Sequence, residues 1–153
     1  MNAKSAQNNK RIIQAWSDAA RSDDIETFFD EFIDTDCEWV MMATGETFRG
    51  INEIRQMALR SRDARKHTEE AHIEFTNFFS SEDQSQICIE YDHGAIVTEE
   101  GARLFGVPAA AGRRVDVKIC HVCHVKNGKL DRVHEYFDTA GLIGGTAERR
   151  LYS

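Results

Sequence analysis

The chain has 153 residues, of which 41% are hydrophobic and 29% are charged, and it contains one proline. This composition predicts one soluble globular domain over residues 1–153 and excludes a disordered or fibrous chain. A formal net charge of −7 argues against a broad nucleic-acid or anionic-membrane surface, because such surfaces are basic.

Three segments in the first part of the chain have apolar residues at helical spacing: KRIIQAWSDAARS, SDDIETFFDEFID and INEIRQMALRSRDAR. Ser22 and Asp23 are candidate caps of the second helix. Between the second and third helices, CEWVMM predicts a short strand and GETFRG a turn. The predicted apolar faces are Ile12, Ile13, Trp16 and Ala19; Ile25, Phe28, Phe29 and Phe32; and Ile51, Ile54, Met57 and Ala58.

After Arg65 the apolar spacing changes to two, which predicts strands in HTEEAHIEFTNFFSS and QSQICIEYDHGAIV. The basic run RSRDARKH before them indicates a solvated helix end, and TEEGARLFGVPAAAG predicts a long loop. RRVDVKICHVCHVK and KLDRVHEYFD predict a hairpin that turns at Asn127-Gly128. TAGLIGG then predicts a short last segment that its glycines end.

Helices followed by a run of strands predict the α+β class, with N-terminal helices packed on one face of a curved antiparallel sheet. A sheet curled around a few helices encloses a cone-shaped pocket. Such a pocket suits a small apolar or aromatic ligand.

No segment approaches the roughly 18 consecutive apolar residues of a membrane-spanning helix. The polar start MNAKSAQNNK also lacks the apolar core of a secretion signal. We therefore expect a cytoplasmic protein with no membrane or nucleic-acid partner. Its four cysteines, Cys37, Cys88, Cys120 and Cys123, are expected to be reduced thiols.

One histidine interrupts an apolar strand face before the Asn127-Gly128 turn. Alternate residues of a strand share a face, and one face here runs Val115, Val117, Ile119, His121, Cys123 and Val125. His124 falls on the other, mostly polar face. The returning strand has a face with Asp131, Val133, Glu135 and Phe137. If this face of the returning strand lies on the same side of the sheet as His121, Val133 and Phe137 join the other apolar residues.

The length of the turn decides which residue lies opposite His121. A three-residue turn with Gly128 in a bulge pairs Val125 with Lys129 and His121 with Val133, which makes Glu135 a diagonal neighbour of His121. A two-residue turn slips the register by one and places His134 opposite His121. We favour the three-residue turn.

A histidine and a carboxylate in an apolar pocket form an acid–base pair. Burial raises the carboxylate pKa and favours neutral imidazole, whereas mutual attraction acts in the opposite direction. Such a pair can hold one proton near neutrality, as general acid–base catalysis requires. The alternative is a buried His121–Glu135 contact that only stabilises the core.

The string CHVCH does not predict a metal site, and we expect no metal ligands. In a strand, Cys120 and His124 lie roughly 13 Å apart, too far to share one ion. His121 and Cys123 share a face, but other strands would have to supply the remaining ligands.

Five further residues are candidates for substrate binding. Trp39 and Met41 could stack on a flat ligand or be simple core, and Tyr91 with His93 could line the pocket mouth or end a strand. Cys123 shares the face of His121, although burial favours an inert thiol over a nucleophile.

Several motifs together resemble the SnoaL-like polyketide cyclases of the nuclear transport factor 2 (NTF2)-like superfamily. They are ETFRGINEIRQM, LFGVPAAAGRRVDV and NGKLDRVHEYFDTAGLIGG, and the resemblance spans roughly residues 10–145. It implies an α+β cone without organic cofactor or metal that forms a homodimer or higher homo-oligomer. In the family motif a histidine lies seven residues before the hairpin glycine and an acid seven after, which here are His121 and Glu135.

Family cyclases close a ring by aldol condensation, with the carboxylate removing a proton alpha to a carbonyl and the histidine handling charge on oxygen. The family acid is an aspartate, whereas this chain has the longer Glu135, and AAAG stands where the family favours proline and threonine. The resemblance therefore implies a cyclase, isomerase or dehydratase acting on a polyketide- or steroid-like substrate. A non-catalytic ligand-binding protein and a protein-interaction module are the alternatives.

Overall fold

The computed structural model describes residues 3–22, 24–104 and 106–139, and it contains four α-helices and six strands in these ranges. The helices are α1 (Ala3–Arg21), α2 (Glu26–Phe32), α3 (Gly50–Arg65) and α4 (Glu99–Leu104). The strands are β1 (Ile33–Met41), β2 (Glu46–Arg49), β3 (Thr68–Ser80), β4 (Gln86–Val97), β5 (Arg114–Lys126) and β6 (Lys129–Phe137). Residues 140–145 of the predicted last segment TAGLIGG, and the candidate cap Asp23, lie outside the described residues.

The three predicted helices are present, but two predicted irregular segments contain regular structure. The predicted turn GETFRG contains β2, which pairs with β1 because the chain reverses tightly after Met41. The predicted long loop contains α4 and a 3₁₀ turn at Pro108–Ala110. These two elements bury Ala102 and Ala110 beside Val97 and Val115, a small apolar cluster that periodicity alone does not reveal.

The six strands form one sheet in the order β2-β1-β6-β5-β4-β3. The predicted α+β class, with helices on a curved sheet, is confirmed. The sheet is mixed rather than purely antiparallel, because β1 and β6, the second and third strands in this order, run parallel. Residues 42–128 separate these two strands in the chain, so no hairpin turn joins them and none requires them to run antiparallel.

The main core lies between α1, α2, α3 and one face of the sheet. It contains the predicted apolar residues of all three helices together with Ile87, Ile89, Cys123 and Val133. Asn9 is buried in α1, and its side-chain amide donates to the carbonyl oxygen of Gln84 at 3.0 Å. The Asn8 amide donates to the carbonyl oxygen of Gly128 at 3.2 Å. These contacts fix the start of α1 to both hairpin turns, β3–β4 and β5–β6. Within the described ranges, no helix is long and apolar enough to cross a bilayer.

Candidate functional site

The β5–β6 hairpin brings His121 and Glu135 together, but in neither predicted register. Lys126 pairs with Lys129, so the favoured three-residue turn is wrong and Asn127-Gly128 forms a two-residue turn. Both turn residues have positive φ, 52° and 80°, as the tight hairpin turn that matches strand twist requires. Yet His121 lies directly opposite Glu135, not opposite His134 or Val133.

A β-bulge at Asp131 explains this register. Val125 pairs with Leu130 whereas His124 pairs with Arg132, which leaves Asp131 as an extra residue of β6. At this bulge the Asp131 carboxylate lies 2.6 Å from Nδ1 of His124. The bulge adds one residue and so brings Val133, Glu135 and Phe137 to the face that the apolar pattern predicted.

Two side chains contact one oxygen of Glu135. The indole N–H of Trp39 donates to Oε2 at 2.8 Å. Nε2 of His121 lies 3.2 Å from the same oxygen, although it is not aligned for a hydrogen bond. The His121 side chain is 2% exposed and that of Glu135 is 16% exposed. Glu135 is therefore the member of the pair that solvent or a ligand can reach, with Oε1 available.

The His121 ring lies among three aromatic side chains. Its centroid is 4.6 Å from Trp16, 5.3 Å from Trp39 and 5.6 Å from Tyr91. Trp16 and Trp39 stack on each other at 5.6 Å. The sequence predicted Trp16 only as a core residue of α1, because nothing in a helical stripe shows which part of the sheet it covers. Its contact with His121 makes it part of the site.

Glu135 and Tyr91 occupy protonation states that suit proton transfer. Burial raises the pKa of Glu135, but the adjacent His121 ring and the Trp39 N–H stabilise the carboxylate, and the net pKa is lowered. Glu135 is therefore ionised at neutral pH. Burial, and secondly the Glu135 charge, raise the pKa of Tyr91, which remains a neutral phenol able to donate a hydrogen bond.

The remaining predicted binding residues, Met41, Cys123 and His93, differ in how far their side chains are buried. Met41 pairs with Glu135 across β1 and β6 and is half-buried beside it. Cys123 is 1% exposed within the core, and burial raises its pKa well above the usual value, as expected of an inert thiol. His93 lies two residues beyond Tyr91 on β4, where burial lowers its pKa to about 4, with Arg65 as the second cause.

Another set of metal-ligating side chains lies together elsewhere on the sheet. The ligand atoms of Cys88, Glu90 and Cys120 come within 4.8 Å of one another. The thiols of Cys88 and Cys120 are 3.6 Å apart, and burial followed by that contact raises the pKa of Cys88 to about 12. Without a metal ion, such a thiol keeps its proton at neutral pH. The sequence did not group these residues because the group depends on the β4–β5 register.

Comparison with solved structures shows the same fold in proteins of low sequence identity. A candidate SnoaL-like polyketide cyclase from Jannaschia sp. CCS1 is 12% identical over 94% of this chain and 92% of its own, with a TM-score of 0.69. An LEH-like epoxide hydrolase from M. tuberculosis is 16% identical over 91% of this chain and 89% of its own, with a TM-score of 0.62. A hypothetical protein with a ketosteroid isomerase-like fold from Catenulispora acidiphila DSM 44928, solved with trimethylamine, is 17% identical over 88% of this chain and 92% of its own, with a TM-score of 0.65.

These similarities show the fold, and a comparison with curated proteins returned no match. A family model described as a SnoaL-like domain matches residues 13–133. That span runs from α1 to β6 and includes Trp16, Trp39 and His121. The chain belongs to the SnoaL-like domain family.

Proposed function

We propose that this SnoaL-like protein binds a small apolar or aromatic carbonyl compound and transfers a proton beside its carbonyl group. The observation that carries the proposal is the pair of side-chain contacts made to one oxygen of Glu135. Trp39 and His121 both contact Oε2, which orients the carboxylate and leaves Oε1 for a substrate C–H. Holding a base in a fixed position is a large part of what proton transfer needs.

In the proposed reaction Glu135 takes a proton from the carbon next to the carbonyl. The electrons of that C–H bond move into the carbonyl and form an enolate. Tyr91, as a neutral phenol close to the pair, is the donor that we assign to the enolate oxygen. Return of the proton to another carbon isomerises the substrate, and attack of the enolate carbon on a second carbonyl closes a ring.

We assign His121 a positioning role rather than direct contact with the substrate. At 2% exposure it acts through Glu135, since the carboxylate and three aromatic rings cover it. This differs from the direct role on oxygen that the family resemblance implied. The resemblance also implied a homodimer, which we retain as a proposal that light scattering in solution can test.

The test is deuterium incorporation from D2O into 2-tetralone, a flat cyclic ketone, followed by NMR. We expect Glu135→Gln to slow enzyme-dependent exchange by about 100-fold or more while the protein stays folded. Glu74→Gln is the matched control, because Glu74 is an exposed carboxylate on β3. A folded Glu135→Gln protein that exchanges as fast as the wild type would contradict the assignment.

Ligand binding without turnover is the second candidate, and the lowered pKa of Glu135 favours it because a stronger acid is a weaker base. The protein from Catenulispora acidiphila, whose fold is similar, was solved with trimethylamine, a small ligand. In this alternative 2-tetralone binds, as followed by changes in tryptophan fluorescence, and no exchange above the buffer rate occurs in the wild type.

A further inference from the structure

Three metal-ligating side chains lie together on the outer face of the sheet, opposite the face that packs on the helices. Cys88, Glu90 and Cys120 each place one ligand atom within 4.8 Å of the others. Alternate residues of a strand share a face, so Cys88 and Glu90 project away from Ile87 and Ile89, which are buried in the core. Thiolate and carboxylate are both side-chain ligands of zinc in proteins.

The pairing of β4 with β5 holds these three residues in place. It runs without a register shift over residues 86–96 of β4, and Glu90 lies directly opposite Cys120. Cys88 is two residues earlier on β4 and is therefore a diagonal neighbour of Cys120. Both strands lie inside the sheet with a paired strand on each side, so only side-chain torsions are left to adjust the ligand atoms.

The distance between the two sulfurs fits a shared zinc ion. Two Zn–S bonds of roughly 2.3 Å at the tetrahedral angle place their sulfurs roughly 3.8 Å apart. The Sγ atoms of Cys88 and Cys120 lie 3.6 Å apart. A tetrahedral site also needs roughly 3.6 Å between each sulfur and the carboxylate oxygen. The Glu90 oxygen lies within 4.8 Å of both sulfurs, and rotation of its side chain can supply the remaining approach.

The Glu90 carboxylate distinguishes a metal site from a simple pair of thiols. Two thiols in contact also suit a disulfide, but a disulfide gains nothing from a third ligand. In the described part of the chain the Glu90 carboxylate forms no hydrogen bond or salt bridge, so a cation can bind it without breaking one. The ammonium group of Lys118, on the same face of β5, donates to Asp92 at 2.8 Å.

Aromatic side chains flank the two thiols. Phe79 pairs with Cys88 across β3 and β4, and Tyr136 pairs with Cys120 across β5 and β6. Both cysteines are half-buried. A partly dry environment strengthens the attraction between a cation and its negative ligands, and the remaining exposure leaves room for one water on the ion.

We propose that Cys88, Cys120 and Glu90 bind a Zn²⁺ ion on the outer face of the sheet, with water as the fourth ligand. Each thiol releases its proton to solvent as its sulfur binds the ion. Sulfur ligands favour Zn²⁺ over Mg²⁺ and Ca²⁺, which prefer oxygen. The sequence predicted no metal site because the string CHVCH contains only Cys120 of the three ligands. The inference does not rest on the proposed function, since the zinc site and the proton-transfer site lie on opposite faces of the sheet.

The test is a titration of the full chain with Co²⁺, a coloured substitute for Zn²⁺, in the presence of a phosphine reductant. We expect thiolate-to-cobalt charge-transfer absorption together with the intense visible bands of tetrahedral Co²⁺, and an equimolar amount of Zn²⁺ should abolish both. Competition with a chromophoric chelator then measures the affinity for Zn²⁺. Cys88→Ser and Cys120→Ser should each weaken Zn²⁺ binding by about 100-fold or more, since losing even an outer-shell partner costs roughly 10–100-fold.

Matched variants separate this site from other metal-binding groups of the chain. Cys37→Ala removes a buried core thiol and should leave the cobalt spectrum unchanged. Glu90→Gln keeps both thiols, which protects the test if a serine variant unfolds. It should weaken Zn²⁺ binding by about tenfold, whereas Glu74→Gln, at an exposed carboxylate on β3, should not.

Three results would overturn the proposal: no charge-transfer absorption from the wild type, wild-type affinity in a folded Cys88→Ser or Cys120→Ser protein, or equal affinities of Glu90→Gln and Glu74→Gln. The phosphine keeps the thiols reduced, so a Cys88–Cys120 disulfide cannot account for a failure to bind. Zinc affinity needs no turnover, so it can hold even if Glu135→Gln shows that the proposed chemistry is wrong.

Discussion

Replacing Trp39 with phenylalanine should raise the pKa of Glu135 without removing the aromatic ring beside it. The substitution deletes the indole N–H that donates to Oε2 at 2.8 Å in a largely buried environment. A hydrogen bond to a charged group contributes about 1.5–3 kcal/mol, which corresponds to a rise of roughly one to two pH units. Carbon-13 NMR of labelled glutamate carboxyl groups, assigned with Glu135→Gln, measures that pKa directly.

Trp16→Phe is the control for this experiment. Trp16 contacts the same His121 ring at 4.6 Å and is equally buried, but no hydrogen bond joins it to Glu135 in the described structure. Both variants should lose stability to urea through lost packing, and only Trp39→Phe should move the carboxyl pKa. An unchanged pKa in Trp39→Phe, or the same rise in both variants, would refute the view that the Trp39 N–H acts together with His121 to keep Glu135 ionised.

Two further changes test other parts of the structure. His93 has a folded pKa of about 4 against an ordinary 6.5, so it stays neutral in the fold while the unfolded chain takes up a proton. Stability should therefore fall between about pH 6.5 and pH 4, by up to roughly 3 kcal/mol, and His93→Gln should reduce this slope in urea titrations. Deleting Asp131 removes the bulge residue while leaving the other β5–β6 pairs in order, so NMR should still find His121 beside Glu135. Finding His121 beside His134 would contradict that reasoning.

Alternation of polar and apolar residues predicted the faces of the strands well but not their exact pairing. Glu135 was placed with His121 because Val133 and Phe137 need burial on the same face. The turn was predicted wrongly because the residue that corrects its register, Asp131, is polar and leaves no apolar signal.

The site depends on two local departures from regular strand pairing that offset each other. The Asn127-Gly128 turn alone would place His134 opposite His121, on the wrong face for the core. The extra residue at Asp131 restores the apolar face and, with it, the carboxylate that Trp39 holds from the neighbouring strand β1. Because β1 runs parallel to β6, Trp39 pairs with Val133 and Met41 with Glu135 along the same stretch. Burial of Val133 therefore fixes the register on both sides of β6, and the position of Glu135 follows from the packing of the core.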